Sequence, residues 1–370
     1  MKILYLNNIP SPYRVDFFNE LGKHCQLTVL FERPNASDRD KRWKAEEIRN
    51  FKGVFLKGKK IGTDASFCPG VIQYLKKDYD AIILGGYSSP TYMFAMEYMK
   101  LRKIPFFMNA DGGFIKSDTW FIRKIKTHYI GLASAWLSSG GETDKYLKYY
   151  GADADYIYQY SFSSVSEKQV SHPNEEEKRC LKAQLGIMES KVAIAVGQYI
   201  PRKGFDYLIQ AAGKIPKEYG VLLIGGHAGA EYSKLRDMSS ASNVHFLDFM
   251  KKEQLSLYYR AADIFVFPTR EDIWGLVLNE AMSYGLPCVA SVKANASIEL
   301  IEEDKNGYLI DPENVDLMAE RMLRLFQDDK KRIWMGANAL KIAHNFTIEK
   351  MALQHIDIIN KWKKCMNGGS

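Results

Sequence analysis
The 370-residue chain is 46% hydrophobic and 26% charged, which fits a soluble globular protein, excludes a disordered one, and is long enough that two domains are expected. No window approaches the roughly 20 uninterrupted apolar residues that a bilayer crossing needs, and five scattered cysteines without CxxC spacing argue against a disulfide framework or zinc site and for a reducing cytosol. The net charge of +7 is unevenly held: residues 1–165 carry 24 Lys+Arg against 17 Asp+Glu, and residues 166–370 carry 27 of each.

In chain order, "KILYLN" (2–7) opens a strand pattern with too short a lead for a signal peptide. Further strands are expected at 27–32, 81–86, 105–110, 135–140 and 155–160, with amphipathic helices between, such as "YRVDFFNELGKH" and "TYMFAMEYMKLRK". Continuous apolar strands separated by helices predict a parallel sheet covered on both faces. The stretch 33–60 holds ten basic residues against four acids. It reads either as a docking surface for an anionic partner (a membrane, nucleic acid or a phosphorylated substrate) or as an ordinary solvated surface. In "TWFIRKIKTHYIGLASAW", Phe121, Ile125, Tyr129, Leu132 and Trp136 share a helical spacing opposite Arg123, Lys124 and Lys126. That pattern suits a helix lying in a membrane interface or one burying its apolar face in the domain, with Trp120 and the basic residues at the rim.

Residues 161–190, rich in Ser and charge with one Pro, read as a linker plus an entry helix. Strands then recur at 192–198, 220–226, 244–249, 264–269, 287–292 and 307–310, with helices such as "DYLIQAAGKI" and "KEQLSLYYRAA" between. A last amphipathic helix covers about 347–364, and the tail "NGGS" is set aside. The expected organisation is a Rossmann-like domain at 1–165, a second at 166–346, and a C-terminal helical segment at 347–370, with ligands at the carboxyl ends of the strands.

Two motifs carry chemistry. In "PTREDIWGLVLNEAMSYGLPCV", the apolar residues Leu276, Val277, Leu278, Ala281 and Met282 predict a helix buried nearly all round. Glu280 then needs a hydrogen-bonding ligand or a cation, unless it reaches a solvent edge. In "GQYIPRKGFDYLIQA", Arg202 and Lys203 open a helix, where cations are unfavourable unless an anion is present; the plainer alternative is an exposed loop pair. Three DxD-like triplets, 38–40, 78–80 and 153–155, read as chance surface acids rather than a divalent-metal motif.

These stretches, with "LLIGG", "NVHFLDF" and "NGYLI", resemble the donor-nucleotide domain of family 4 glycosyltransferases over about residues 192–345. The resemblance implies the GT-B fold: two Rossmann-like domains facing a central cleft, the first binding the acceptor and the second the donor, with the C-terminal helix crossing back to the first. It also implies retaining transfer of a hexose from a nucleotide-diphosphate sugar, most often a UDP-sugar, with no metal or other cofactor. The family's two glutamates are separated by seven residues. Here Glu280 takes the second place, on the ribose, and Asp272 the first, by the donor sugar, with Glu271 beside it. The amides of Ile273, Trp274, Gly275 and Leu276 are implied to face sugar and diphosphate, with Lys203 and Arg202 as the cations. The family often has Arg where this chain has Gln198, so Arg202 is expected to supply that charge.

The first half departs further from the family. Its first loop, "NNIPSPYR" (7–14), has two prolines in place of glycines, leaving Ser11 and Arg14 as candidates for an acceptor or phosphate loop. The family histidine after the fourth strand is missing, and Asp111 is the polar residue nearest that place; the alternative is a turn Asp preceding two glycines. With Asp111, Lys203 and Asp272 as the catalytic candidates, the expected activity serves cell-surface polysaccharide synthesis, such as capsule or lipopolysaccharide. The acceptor is then a glycan or a polyprenyl-diphosphate-linked sugar, met by a cytoplasmic enzyme peripheral on the inner face of the membrane. Other readings are a GT-B epimerase or hydrolase and a non-catalytic binding subunit. A nucleic-acid role is disfavoured, because the basic residues lack an interleaved aromatic platform.

Overall fold
A computed structural model describes residues 1–34, 47–62 and 65–368, so the triplet 38–40 and much of the basic stretch 33–60 lie outside the described residues. The chain divides into two compact units, Met1–Ser164 with Thr347–Ser370, and Val165–Phe346.

The first unit holds strands β1 (Lys2–Asn7), β2 (Gln26–Phe31), β3 (Lys52–Phe55), the pair β4 (Lys59–Ile61) and β5 (Ala65–Phe67), β6 (Ala81–Leu84), β7 (Phe107–Ala110), β8 (Ala135–Ser138) and β9 (Ile157–Gln159). Seven of them form a parallel sheet in the order β3-β2-β1-β6-β7-β8-β9, while β4 and β5 make a separate antiparallel hairpin. Helices α1 (Pro12–Leu21), α2 (Pro90–Leu101), α3 (Trp120–Ile130) and α4 (Gly141–Tyr149) connect the strands. Central strands such as β6 and β8 are buried at every position, as expected of a parallel sheet covered on both faces.

The second unit holds α5 (Glu175–Gln184), then β10 (Lys191–Val196), α6 (Phe205–Gly213), β11 (Tyr219–Ile224), α7 (Ala230–Met238), β12 (Val244–Leu247), α8 (Lys252–Ala261), β13 (Ile264–Phe267), α9 (Leu276–Ser283), β14 (Cys288–Ser291), α10 (Asn295–Leu300), β15 (Gly307–Ile310), α11 (Val315–Gln327) and α12 (Asp329–Ala343). Its six-stranded parallel sheet runs β12-β11-β10-β13-β14-β15. This is the doubly wound order, with its reversal between β10 and β13. The core packs α6 and α11 (Leu208, Ile209, Met318, Met322, Phe326) against Val221, Leu223 and Val266 of the sheet. The linker stretch read from sequence contains α5, started by a reciprocal cap between Asn174 and Glu177.

The last helix, α13 (Ile348–Gly368), belongs to the first unit. Its buried His355 packs 4.8 Å from Phe17 of α1 and 4.7 Å from Tyr160, ring centre to ring centre. Trp362 meets Phe107 at 4.9 Å, and Lys363 pairs with Asp80.

The reading of one apolar helix face from Phe121 to Trp136 is overturned. Helix α3 stops at Gly131, Leu132 lies beyond its end, and Trp136 belongs to β8, where its indole donates to the Ile130 carbonyl at 3.0 Å. The helix buries only Ile130 fully, while Trp120 is 74% and Phe121 64% exposed. The spacing misleads because strand residues that follow a helix closely continue its apolar rhythm by coincidence. No helix among the described residues is long and apolar enough to cross a membrane.

Candidate functional site
Open α/β sheets bind ligands beyond the carboxyl ends of their strands, where the strand order reverses. In the second unit that point lies between β10 and β13, and each of these strands runs directly into one of the two motifs.

After β10 the chain passes Gly197 and Gln198, makes a short 3-10 turn at Pro201–Lys203 and enters α6 through Gly204 at φ 67°. Any Cβ at Gly204 would lie 2.0 Å from the Pro268 carbonyl oxygen. Both the left-handed backbone and this close approach require glycine. They seat the turn against the end of β13, and hydrogen bonds fasten it there. Arg202 O accepts from Arg270 N at 2.9 Å and Thr269 Oγ1 at 3.0 Å, and Arg202 Nη1 donates back to Glu271 O at 3.0 Å. Arg270 also forks onto Asp206 at 2.8 and 2.5 Å, donates to Pro201 O, and lies 4.0 Å from the Tyr207 ring centre. The Asp206 pairing is the main reason its pKa is raised.

This clamp brings the two motifs into one charge cluster. Lys203 Nζ is 2.5 Å from Asp272 Oδ2, with the two side chains 13% and 14% exposed, and Arg202 Nη1 is 3.7 Å from the same oxygen. Asp272 is fixed through its backbone, its N–H donating to Lys293 O at 3.0 Å. The anion that the sequence argument requires beside Arg202 and Lys203 is thus supplied within the chain by Asp272. Glu271 uses its carbonyl, which accepts from Arg202 and Thr269.

Gly275 caps α9 at φ 111°, and a Cβ there would lie 2.6 Å from the Phe267 ring, so only glycine fits. Ile273 is exposed; Trp274 is buried, its indole donating to Asn279 Oδ1 at 2.9 Å and its carbonyl accepting from Ala296 N at 3.0 Å. The first bond of α9 runs from Leu278 N to Gly275 O at 2.9 Å, so the amides of Leu276 and Val277 stand at the helix start, a setting that favours anions. The expectation that α9 is buried all round is corrected. Leu278, Asn279, Ala281, Met282 and Ser283 are buried, whereas Leu276, Val277 and Glu280 form a half-buried strip. Positions 276, 277 and 280 share one side of a helix turn, so Glu280 sits on the open strip and is no stranded buried charge. Its Oε2 accepts from Tyr259 of α8 at 3.3 Å.

In the first unit the strand order reverses between β1 and β6. The loop after β1 satisfies its own amides: Ile9 N donates to Asn8 Oδ1 at 2.8 Å, Ser11 N to Ile9 O at 2.9 Å, and Asn7 Nδ2 to Ile9 O at 2.7 Å. Ser11 is buried at the start of α1, and Arg14 points inward, its side chain 3% exposed. Arg14 Nη2 pairs with Asp111 Oδ2, while Asp111 Oδ1 accepts from Asn109 Nδ2 at 2.7 Å and Tyr160 Oη at 2.8 Å. Burial drives the Tyr160 hydroxyl's pKa well up, so it remains a donor. Asp111 is therefore held by three donors across the ends of β7, α1 and β9, not by turn chemistry. Ser11 does not join this cluster.

Sequence reasoning missed Tyr160, Asn109, Arg270 with Asp206, and Tyr259. Tyr160, Arg270 with Asp206, and Tyr259 act through partners distant along the chain, so no local spacing marks them; Asn109 lies only two residues from Asp111, and the adjacency of Arg270 to Glu271 was the other local signal. Among the described residues no group of three or more His, Cys, Asp or Glu is placed to hold a metal ion. Asp78 pairs with Lys2, and Asp80 accepts from Lys2 N and Lys363, while Asp153 accepts from Asp155 N.

Residues 177–342 match the family model described as "Glycosyl transferases group 1". A D-inositol 3-phosphate glycosyltransferase of Corynebacterium efficiens is 32% identical over 185 residues, 47% of this chain and 43% of the relative. An uncharacterized glycosyltransferase of Haemophilus influenzae is 27% identical over 187 residues, 49% of this chain and 50% of the relative. The chain thus spans about half the length of these curated relatives. Among solved structures, Anabaena HepE in complex with UDP superposes with TM-score 0.82 at 17% identity over 98% of this chain and all of that one. WaaG, a glycosyltransferase involved in lipopolysaccharide biosynthesis, gives 0.71 at 14% identity over 96% and 99%. Residues 177–342 are therefore a glycosyltransferase group 1 domain, in a chain whose two parallel-sheet units have the fold of GT-B glycosyltransferase structures.

Proposed function
We propose that the protein is a retaining glycosyltransferase of the family 4 type, which moves a hexose from a nucleotide-diphosphate sugar, most simply a UDP-sugar, to an acceptor hydroxyl. The observation that carries this reading is the meeting of Arg202, Lys203 and Asp272 before the N-terminus of α9, with Glu280 on the open strip of the same helix. A diphosphate at that helix start gains from the dipole and from two cations. Glu280 takes the ribose hydroxyls. Catalysis then lies in positioning and in stabilising the charge on the departing diphosphate, which asks for no metal. The UDP and UDP-glucose named for the HepE complexes support a uridine donor.

The acceptor is a glycan or polyprenyl-diphosphate-linked sugar of a cell-surface polysaccharide, reached by the first unit on the inner face of the membrane. Support comes from the positive first half and from α3, which exposes Trp120, Phe121 and Ile122 beside Arg123 and Lys124, the amphipathic composition of an interfacial helix. The relatives named D-inositol 3-phosphate glycosyltransferases favour a second reading, in which the acceptor is a small phosphorylated polyol. Sedimentation with anionic vesicles at physiological salt, reduced by Trp120→Ser with Arg123→Gln, is the result expected for the membrane reading; no sedimentation removes it.

The donor site is tested by thermal unfolding against UDP, GDP, ADP and TDP, with and without EDTA. A shift of several degrees with one diphosphate, unchanged by EDTA and lost in Glu280→Ala, is expected. No shift with any nucleotide rejects the reading in favour of a binding subunit. Consumption of the sugar nucleotide without acceptor favours an epimerase or hydrolase.

A further inference from the structure
The carboxylate assigned to the ribose has a support that its own helix does not provide. Glu280 stands on the half-buried strip of α9, and a glutamate side chain there has several accessible rotamers. Binding a pair of vicinal hydroxyls requires its two oxygens to be held in one orientation.

The partner that fixes it comes from α8. The Tyr259 ring is 2% exposed and stacks on Tyr284, with ring centres 5.6 Å apart and planes 14° from parallel, while Phe265 flanks it at 6.2 Å. Tyr284 is itself buried. Packing on these sides leaves the phenol one position, and its hydroxyl meets Glu280 Oε2 at 3.3 Å. Burial, and then the neighbouring Glu280 charge, raise the phenol's pKa far above its ordinary value. It therefore remains protonated at any working pH, and an ionised carboxylate only accepts. The direction of the bond is fixed: tyrosine donates and glutamate receives. Ser283 Oγ donates to the Glu280 carbonyl at 2.7 Å, which ties the backbone of the same residue.

We propose that Tyr259 is a positioning residue that orients the Glu280 carboxylate for the ribose hydroxyls of the donor. The proposal rests on the reading of Glu280 as the ribose ligand. A ring that served packing alone would need no hydroxyl, since phenylalanine fills the same stack; the hydroxyl's bond to Glu280 is what the packing account leaves unexplained.

The test separates orientation from packing by deleting one atom from the protein and two from the ligand. Calorimetric affinities of wild-type protein and Tyr259→Phe are measured for UDP and for 2′,3′-dideoxy-UDP, which has no ribose hydroxyl for Glu280. The wild type is expected to bind UDP at least about tenfold more tightly than the dideoxy ligand. Tyr259→Phe is expected to weaken UDP about fivefold to tenfold, leave the dideoxy ligand unchanged, and unfold within a few degrees of wild type. Equal weakening of both ligands, or an unchanged UDP affinity, overturns the proposal and leaves the reading of Glu280 standing. If the wild-type protein does not distinguish the two ligands, the reading of Glu280 fails, and the proposal falls with it. Glu280→Ala supplies a second arm: Tyr259→Phe added to it should cost no further UDP affinity, because no side-chain acceptor is left for the hydroxyl to orient.

Discussion
Lys203→Met is expected to weaken UDP binding about a hundredfold and to lower kcat/KM for the sugar nucleotide by about 10²–10³. Methionine keeps most of the aliphatic stem, which packs where a Cβ at Gly197 would lie 3.3 Å from Lys203 Cγ, so the loss is that of the charge alone. The magnitude follows from burial: at 13% exposure the ammonium is only partly screened by water, and a phosphate contact there is far stronger than at an open surface. Isothermal calorimetry and initial rates measure the two effects. An affinity within about threefold of wild type would mean that the diphosphate does not use Lys203.

The companion variant, Asp272→Asn, should act in the opposite direction on binding. Asp272 occupies Lys203 at 2.5 Å and lies 3.7 Å from Arg202, so an incoming diphosphate competes with it for both cations. Removing its charge is expected to tighten UDP about threefold to tenfold, while turnover falls at least tenfold if Asp272 also faces the donor sugar. Tighter UDP with undiminished turnover would transfer the sugar contact to Glu271. Glu271→Gln is the matching control, since its side-chain substitution leaves in place the carbonyl that holds Arg202.

These charges show where sequence reasoning reaches and where it stops. The strands of the second unit begin within one residue of expectation because each is a short, largely apolar run between helices, the pattern a two-sided parallel sheet enforces. Four of the six expected strands ran two residues too far at the carboxyl end, as at Gly197, Gly225 and Pro268, where the chain leaves the sheet to build the site. In the first unit, the edge strand β3 (Lys52–Phe55) and the hairpin β4–β5 escaped notice. All three are only three or four residues long, and β3 and β4 carry lysine at exposed positions, so neither a long apolar run nor alternation marks them. At the site, residue types were legible but pairings were not. Lys203 and Asp272 lie 69 positions apart, and Arg14 and Asp111 lie 97 apart; each pair meets only because parallel strands bring successive carboxyl ends together. The family spacing pointed to Asp272 and Glu280, but not to Tyr259 or Arg270, which act on those motifs from other segments.

Asp111→Asn decides whether the residue in the place of the family histidine is catalytic or structural. Its carboxylate neutralises Arg14, whose side chain is 3% exposed and whose Nη1 is buried with no hydrogen-bond partner among the described residues. Leaving a buried guanidinium without counter-charge costs about 3–5 kcal/mol, so a fall in Tm on the order of 10 °C is expected. Arg14→Met should cost less, because Asp111 keeps Asn109 and Tyr160 as donors. The double variant Arg14→Met/Asp111→Asn should recover much of the single loss, the coupling expected of a pair that matters mainly through its partner. If Asp111→Asn instead melts near wild type, binds UDP normally and loses turnover, Asp111 touches the reacting sugar and the structural account fails.

The same cluster carries a pH signature. His355 lies against Tyr160, within reach of the Arg14 and Asp111 charges, and burial, the largest effect, lowers its pKa from the ordinary 6.5 to about 4. Above pH 6.5 it is neutral in both folded and unfolded chains and contributes nothing to the slope. As pH falls from 6.5 towards 4, the unfolded chain takes up a proton that the folded one refuses, and up to about 3 kcal/mol of stability is lost. Denaturant titrations at pH 7.0 and 4.5 should therefore differ more for wild type than for His355→Asn. Equal differences would mean that His355 takes up its proton without unfolding the cluster that holds Asp111.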